Sequence, residues 1–315
     1  MSRCLVIINP VSGGGAARQY ALDLQWKLST LFETLEVKFT TGAGDATRFA
    51  KDACERGFDA VFCMGGDGTV NETVNGIAQG GFKSTFGFIP VGTVNDMSRA
   101  LGIHQNPAQA IQHIDINETR TIDIGRCNDK YFCNNIAAGV IPKVVEEVTP
   151  KEKSILGPLA YFLRAGQALF TTKDYTYRIK TENEDFICKS PLVLALLTNV
   201  VSSFERFMPE ASVDDGYMRI IIFKEYFILD MLSVIPLIIS GAIYNSRYTT
   251  TLTVKKASIE LLSNVDDLAT NMDGDLGPSM PVDIEVLPRV LKVFAPSKHK
   301  KKKALNLPKL PPIEL

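Results

Sequence analysis

The chain is poor in the residues that most metal and redox sites need. It has three His, and its six Cys (Cys4, Cys54, Cys63, Cys127, Cys133, Cys188) include no Cys-x-x-Cys pair and no His at ligand spacing. A zinc site and a disulfide framework are therefore disfavoured, and a reducing cytosol fits better. His104, His113 and His299 stand outside every Gly-rich or acidic cluster, so acid–base chemistry falls to carboxylates. No uninterrupted apolar run approaches the ~20 residues of a membrane span. The most apolar stretch, Tyr226–Tyr244, is broken by Asp230 and Pro236 and reads as a buried or groove-lining helix, with membrane contact as the alternative. The apolar run Cys4–Ile8 stops at Asn9-Pro10 and is too short for a signal peptide. No Gly-Lys-Ser/Thr follows a Gly-rich stretch, so there is no Walker loop. Gly13-Gly14-Gly15-Ala16-Ala17-Arg18 lacks the last glycine of a dinucleotide fingerprint. A formal net charge of -1 gives no sign of a nucleic-acid binder.

What is present suits a globular chain with ample core. The 315 residues, 45% apolar and 22% charged, are enough for two domains. The near-neutral total hides a polarity. Residues 298–315 hold Lys298, Lys300, Lys301, Lys302, Lys303 and Lys309 against Glu314, a net of +5, which leaves the rest of the chain at -6. The tail reads either as a solvated end or as a segment lying on anionic lipid, worth about 1 kcal/mol per Lys.

The first third alternates strand and helix, which predicts a parallel sheet covered on both faces. Strands are expected at Leu5–Ile8, Glu36–Thr40, Asp59–Met64 and Phe86–Pro90. Helices are expected with Leu24, Leu28, Leu31 and Leu35 on one face, at Asp45–Arg56, from about Val70 to Ala78, and from about Asn95 to Leu101. From residue 121 the segments read as strands: 121–126, 130–138, 174–180, 191–199, 216–223, 249–255, 257–262, 281–287 and 289–295. This predicts a β-sandwich or barrel-like domain interrupted by helices at about 157–170 and 226–244. The division is an α/β domain over 1–122, a β-rich domain over 123–297, and the basic tail.

Three strand-to-helix turns carry the chemistry: Asn9-Pro10-Val11-Ser12-Gly13, Gly65-Gly66-Asp67-Gly68-Thr69 and Gly92-Thr93-Val94-Asn95-Asp96. In a parallel sheet such turns gather at the C-terminal strand ends, where helix N-termini offer free N–H groups to anions. Glycine lets the backbone approach a phosphate closely, and Thr69 and Thr93 add hydroxyls. A carboxylate at Asp67 would repel phosphate unless it holds Mg²⁺, directly or through water. Asp96 reads equally as a metal carboxylate or as a helix cap.

These motifs, with Asn71-Glu72 after the second, resemble the diacylglycerol kinase catalytic family, which also contains sphingosine and ceramide kinases. The resemblance is strongest to the soluble bacterial diacylglycerol kinases and covers almost the whole chain. It implies an α/β nucleotide domain followed by a β-sandwich, and an ATP- and Mg-dependent lipid kinase, with diacylglycerol converted to phosphatidic acid as the foremost reaction. A kinase for a soluble substrate such as NAD, and a non-catalytic regulator, are the alternatives. It implies that Asn9, Pro10, Val11, Ser12, Gly13, Thr40, Gly65, Gly66, Asp67, Gly68, Thr69, Val70, Asn71 and Thr93 meet ATP. Ala211-Ser212-Val213-Asp214-Asp215-Gly216-Tyr217 resembles the family's Mg²⁺ loop, with Asp215 as carboxylate ligand and the carbonyls of Ser212 and Tyr217 beside it. Asp273-Gly274-Asp275 aligns with the segment of the catalytic base. The roles expected are Asp275 as base, Asp67 on the catalytic Mg²⁺, and Asp96 and Asp215 ordering water around the metals.

Two departures stand out. The family's usual base is Glu, one methylene longer than Asp275, and the basic residue often following the first motif is Gly14 here, with Arg18 the nearest cation. Lys151, Lys153, Arg164 and Arg206 are further candidates for phosphate or membrane contact. Leu156–Phe170 and Phe227–Ile243 are candidates for a lipid slot. The expected setting is cytoplasmic and peripheral to a membrane surface, with a homodimer plausible and no nucleic-acid partner.

Overall fold

The computed structural model describes residues 2–139, 175–205, 207–224, 231–263 and 268–297. Lys151, Lys153, Arg164, Arg206, the helix expected at 157–170, the Leu156–Phe170 stretch and the Lys-rich tail lie outside the described residues.

The N-terminal elements are β1 (Arg3–Ile8), α1 (Ala16–Ser29), β2 (Thr34–Phe39), α2 (Asp45–Glu55), β3 (Ala60–Gly65), α3 (Asp67–Gln79), β4 (Thr85–Pro90), α4 (Asp96–Leu101) and α5 (Pro107–Gln112). The strands pair in parallel in the order β2-β1-β3-β4. β3 is buried along its whole length, as a strand covered on both faces must be. The pleat sorts its neighbours. Leu5 and Ile7 face a cluster with Ala46, Ala50 and Ala53 of α2 and Val70, Val74 and Ile77 of α3. Cys4, Val6 and Ile8 face Ala17, Ala21, Leu24 and Leu28 of α1, and Ala110 and Ile111 of α5. Leu31 and Leu35 are not on α1. The helix ends at Ser29, and Leu35 belongs to β2, although both pack against the same cluster. A strand's alternation and a helix's four-residue spacing coincide over so short a piece. α3 starts at Asp67, a turn earlier than expected, because Gly66 is already extended and serves as its N-cap.

The second part is antiparallel. β7 (Asn135–Gly139), β10 (Leu192–Leu196), β11 (Met218–Phe223), β12 (Thr249–Val254), β14 (Ala269–Met272) and β15 (Asp275–Ser279) form one sheet, ordered β12-β11-β10-β7-β14-β15. β8 (Tyr175–Thr181), β9 (Asp185–Ser190) and β13 (Lys256–Leu261) extend the first sheet through β16 (Val282–Phe294), and β5 (Thr119–Cys127) with β6 (Lys130–Phe132) branches from it. Ile136, Ala138, Val193, Ala195, Ile220 and Ile222 of one sheet meet Tyr177, Ile179, Ile259, Val282 and Ile284 of the other in a single apolar layer. α6 (Met231–Ser240) lies within the expected 226–244 helix and contains Pro236. It lays Val234, Leu237 and Ile238 on the far side of the β12-β11-β10 region. β9, β14 and β15 were not expected. The expected strand 130–138 divides into β6 and β7.

The strands expected at 281–287 and 289–295 are one strand, β16. Its first half pairs with β13, and its end pairs in parallel with β4 at Val293 and Phe86. β5 runs antiparallel beside it throughout, with an irregularity between Leu287 and Leu291. Arg289 is left-handed there (φ 53). Asp123 fills the gap, accepting from Arg289 N at 2.8 Å and Gly216 N at 2.6 Å. Residue 122, the expected boundary, lies in the middle of β5. All six cysteines are free and five are buried.

Candidate active site

The three glycine-rich turns meet at the C-terminal ends of β1, β3 and β4, and the contacts between them explain their composition. Asn9 Nδ2 donates to Thr69 Oγ1 at 3.1 Å, and its Oδ1 accepts from Val11 N at 3.2 Å. Gly13 is left-handed (φ +61), and a Cβ there would run into the Val91 carbonyl. Gly66 and Gly92 pack backbone to backbone, with the Gly92 Cβ position only 2.9 Å from Gly66 Cα. Side chains at these points would force the turns apart.

Asp67 ties the second turn to the third. Its Oδ2 accepts from Asn95 N at 3.0 Å and its Oδ1 from Asp96 N at 3.2 Å. Burial pushes its pKa up, and these backbone donors pull it back. Each oxygen keeps a lone pair, so the residue still fits an oxygen-ligated hard cation such as Mg²⁺.

Asp96 turns to the second domain. Its carboxylate accepts from Asn134 Nδ2 at 3.0 Å, Ser202 N at 2.8 Å and Ser203 N at 2.7 Å. Ser202 and Ser203 are both left-handed (φ 48 and φ 74), which aims two successive N–H groups at one anion. Burial raises the Asp96 pKa to about 6, with the Asp67 and Asp273 charges adding to it.

Asp275 arrives by a hairpin. The two-residue Asp273-Gly274 turn joins β14 to β15 with positive φ at both positions (51 and 97), the mirror-image turn that Asp-Gly favours. Asp275 is the first residue after it and faces the second glycine turn, with Oδ2 3.0 Å from the point where a Gly68 Cβ would be. Among the described residues its carboxylate has no hydrogen-bond partner. Partial burial raises its pKa, and the Glu72 and Asp67 charges raise it further. A carboxylate so placed is a stronger base than a solvated one.

Asp273, the turn's other carboxylate, holds the hairpin down. It accepts from Cys133 N at 2.6 Å, Asn71 Nδ2 at 2.8 Å, and Asn134 N and Asn135 N at 2.9 Å each. Asn75 reinforces the seam, donating to Tyr131 O at 2.8 Å and accepting from Tyr131 N at 2.9 Å. Asp273, Asn75, Asn134 and the Ser202-Ser203 pair had no expected role. The Asp-Gly dipeptide was the one local signal for any of them.

The remaining expected residues divide. Pro10 and Thr40 line an open groove of about 490 Å³ with Arg18, Leu22, Gln25 and Phe39. Val11 and Thr93 are exposed, and Ser12 is half-buried. Gly65 packs on the Thr69 side chain, so its role is spatial. Val70 is a core residue whose N–H is already bonded to Gly66 O at 3.1 Å. The Asn71 amide is spent on Asp273 and on Tyr131 O at 3.2 Å.

Ser212, Asp215 and Tyr217 come together in a separate loop beside Asp123. Asp215 Oδ2 accepts from Ser212 N and Oδ1 from Tyr217 N, both at 3.0 Å. The Arg219 guanidinium also lies on this carboxylate, 2.7 Å from Oδ2. The donor set therefore does not fit a metal as it stands. Among the described residues no cluster of three His, Cys, Asp or Glu is arranged to hold a metal ion. No helix there is long and apolar enough to cross a membrane.

Comparison with known proteins agrees with this architecture. Residues 3–127 match the family described as diacylglycerol kinase catalytic domain. Residues 134–295 match the one described as YegS C-terminal NAD kinase beta sandwich-like domain. A diacylglycerol kinase of Staphylococcus epidermidis is 34% identical over 294 residues, covering 93% of this chain and 92% of that protein. One from Staphylococcus saprophyticus is 34% identical over 305 residues, covering 96% and 99%. A crystal structure of a diacylglycerol kinase from Bacillus anthracis superposes with a TM-score of 0.79 at 25% identity, covering 94% of this chain and 97% of that one. With matched domains in this order and relatives this similar along almost their whole length, the chain belongs to the diacylglycerol kinase catalytic family.

Proposed function

We propose that this chain transfers the γ-phosphate of ATP to a lipid hydroxyl at a membrane surface, with diacylglycerol as acceptor and phosphatidic acid as product. The observation that carries this reading is the position of Asp275. A carboxylate delivered by the second domain stands over Gly68, in the first turn of α3, with no hydrogen bond among the described residues. Phosphate at that helix N-terminus would meet free N–H groups and the positive end of the dipole. The groove beside Pro10, Thr40 and Arg18 supplies room for the rest of a nucleotide.

Phosphoryl transfer depends on positioning and charge neutralisation more than on covalent chemistry. In this reading Asp275 takes the proton of the attacking lipid hydroxyl, and its raised pKa matches it to that task. Asp67 fixes the third turn against the second and would be the carboxylate nearest a bound Mg²⁺, which when present neutralises charge on the phosphates. Asp96 and Asp273 are positioning residues that lock the domain carrying the base onto the domain carrying the glycine turns.

The test is phosphorylation of diacylglycerol in mixed micelles with labelled ATP and Mg²⁺. Labelled phosphatidic acid is expected. ATP binding without product on any lipid alcohol would overturn the reading in favour of a regulator, and product on NAD alone in favour of a soluble substrate.

A further inference from the structure

The Asp214-Asp215-Gly216 loop is ringed by arginine. Arg219 Nη1 lies 2.9 Å from Asp215 Oδ1 and 2.7 Å from Oδ2, and donates to the Tyr217 carbonyl at 3.2 Å. Its Nη2 donates to Glu210 O at 3.4 Å. Arg120 Nη2 is 3.9 Å from Asp214 Oδ2. Arg289 gives its N–H to Asp123 and its Nε to Asp214 O at 3.3 Å. Two carboxylates, Asp214 and Asp215, thus have a guanidinium within 4 Å, while Asp123 is held by the backbone N–H groups of Gly216 and Arg289. The Arg120 and Arg219 side chains are each only 11% exposed, so solvent does little to screen them.

A divalent ion here would need the Asp215 carboxylate and the carbonyls of Ser212 and Tyr217. Two of those three ligands already receive Arg219 N–H groups, and the ion would enter against a buried positive charge. Hard cations select sites with uncompensated negative oxygen charge, and the Asp215 carboxylate has none to spare. We propose that Arg219 is the resident cation of the Asp214-Asp215-Gly216 loop: its guanidinium stands where a metal would bind, and the loop closes without a divalent ion. Any Mg²⁺ requirement of the protein then belongs to the cleft around Asp67 alone.

The experiments use the full chain without lipid or ATP, so they are independent of the kinase reading. Crystals of the wild type soaked in MnCl₂ are expected to show the Arg219 guanidinium on Asp215 and no anomalous peak in the loop. A manganese peak between Asp215 and the carbonyls of Ser212 and Tyr217 overturns the proposal. The second readout is thermal unfolding in EDTA and in millimolar MgCl₂. The wild-type Tm is expected to be the same in both. Arg219→Gln is expected to lose roughly 5 °C or more in EDTA and to regain part of it with MgCl₂, as the freed carboxylate accepts a metal. A wild-type Tm that rises with MgCl₂, or an Arg219→Gln variant as stable as wild type in EDTA, also overturns it.

Discussion

Two acidic turns of the second domain differ in how their carboxylates are satisfied. Asp215 has every oxygen engaged, by Ser212 N, Tyr217 N and the Arg219 guanidinium, and its loop is closed on itself. Asp275 has no hydrogen bond among the described residues and projects from a hairpin over the glycine turn of the other domain. The same residue type is therefore a strut in one place and a reactive group in the other. What separates them is partnership. A paired carboxylate is held in one geometry, whereas Asp275, partly buried and beside Glu72 and Asp67, has its pKa raised above the usual carboxylate range.

The contrast makes opposite demands on two substitutions. Asp275→Ala should lower turnover by about 10²–10⁴-fold, the usual contribution of a positioned proton acceptor, with little change in Tm. Steady-state kinetics on diacylglycerol checks it, and near-wild-type turnover would remove Asp275 as the base. Asp275→Glu, the family's usual residue, should retain activity. Asp215→Ala should do the reverse. It strands the nearly buried Arg219 guanidinium, which costs roughly 3–5 kcal/mol as urea-measured stability. The contrast fails if that variant is as stable as wild type.

Gly68→Ala sharpens the comparison on the side of the cleft. A methyl group 3.0 Å from Asp275 Oδ2 must push the base aside, and turnover should fall by about tenfold while the fold persists. Unchanged kinetics would show that the distance does not matter.

The smallest effect expected is a pH slope from Asp96. Its carboxyl should titrate near 6 in the folded chain, against about 3.9 unfolded. The folded state then binds the extra proton between these values, so this group's contribution to stability falls as pH rises through that window, by at most about 1.4 kcal/mol per pH unit. Carbon-detected NMR of the Asp96 carboxyl checks the midpoint, and a midpoint near 4 would break the assignment.

The glycine turns were legible in the sequence because their signals are local: a strand, one to three glycines, a helix. The parallel sheet was legible for the same reason, through fully apolar runs such as Ala60–Gly65. The seam between the domains was not. Asp273 finds Cys133, Asn134, Asn135 and Asn71 across up to 202 positions of chain, and Asp96 finds Ser202 and Ser203 across more than a hundred. No periodicity reports a pairing at that distance. β9 was missed because its sequence, Asp185–Ser190, mixes charge with apolar residues at a sheet edge. β14 and β15 were missed because they are short. Arg219 falls inside the strand expected at 216–223, and nothing local in the sequence marks it as the cation on Asp215.

The path of β16 bears on how the molecule is made. The N-terminal sheet takes its neighbour for β4 from residues near 293, and Phe294 stacks on Phe62 with ring centroids 5.3 Å apart. A nascent chain released through residue 130 holds every glycine turn, yet its sheet still has an open edge and a gap in its aromatic layer. Domains usually fold as they leave the ribosome, N-terminal first. Here the edge of the sheet beside β4 is closed by the last described strand, which follows the segment carrying Asp275 in the chain. A chain terminated before β16 would thus leave the β4 edge open and lack the Phe294 ring that stacks on Phe62.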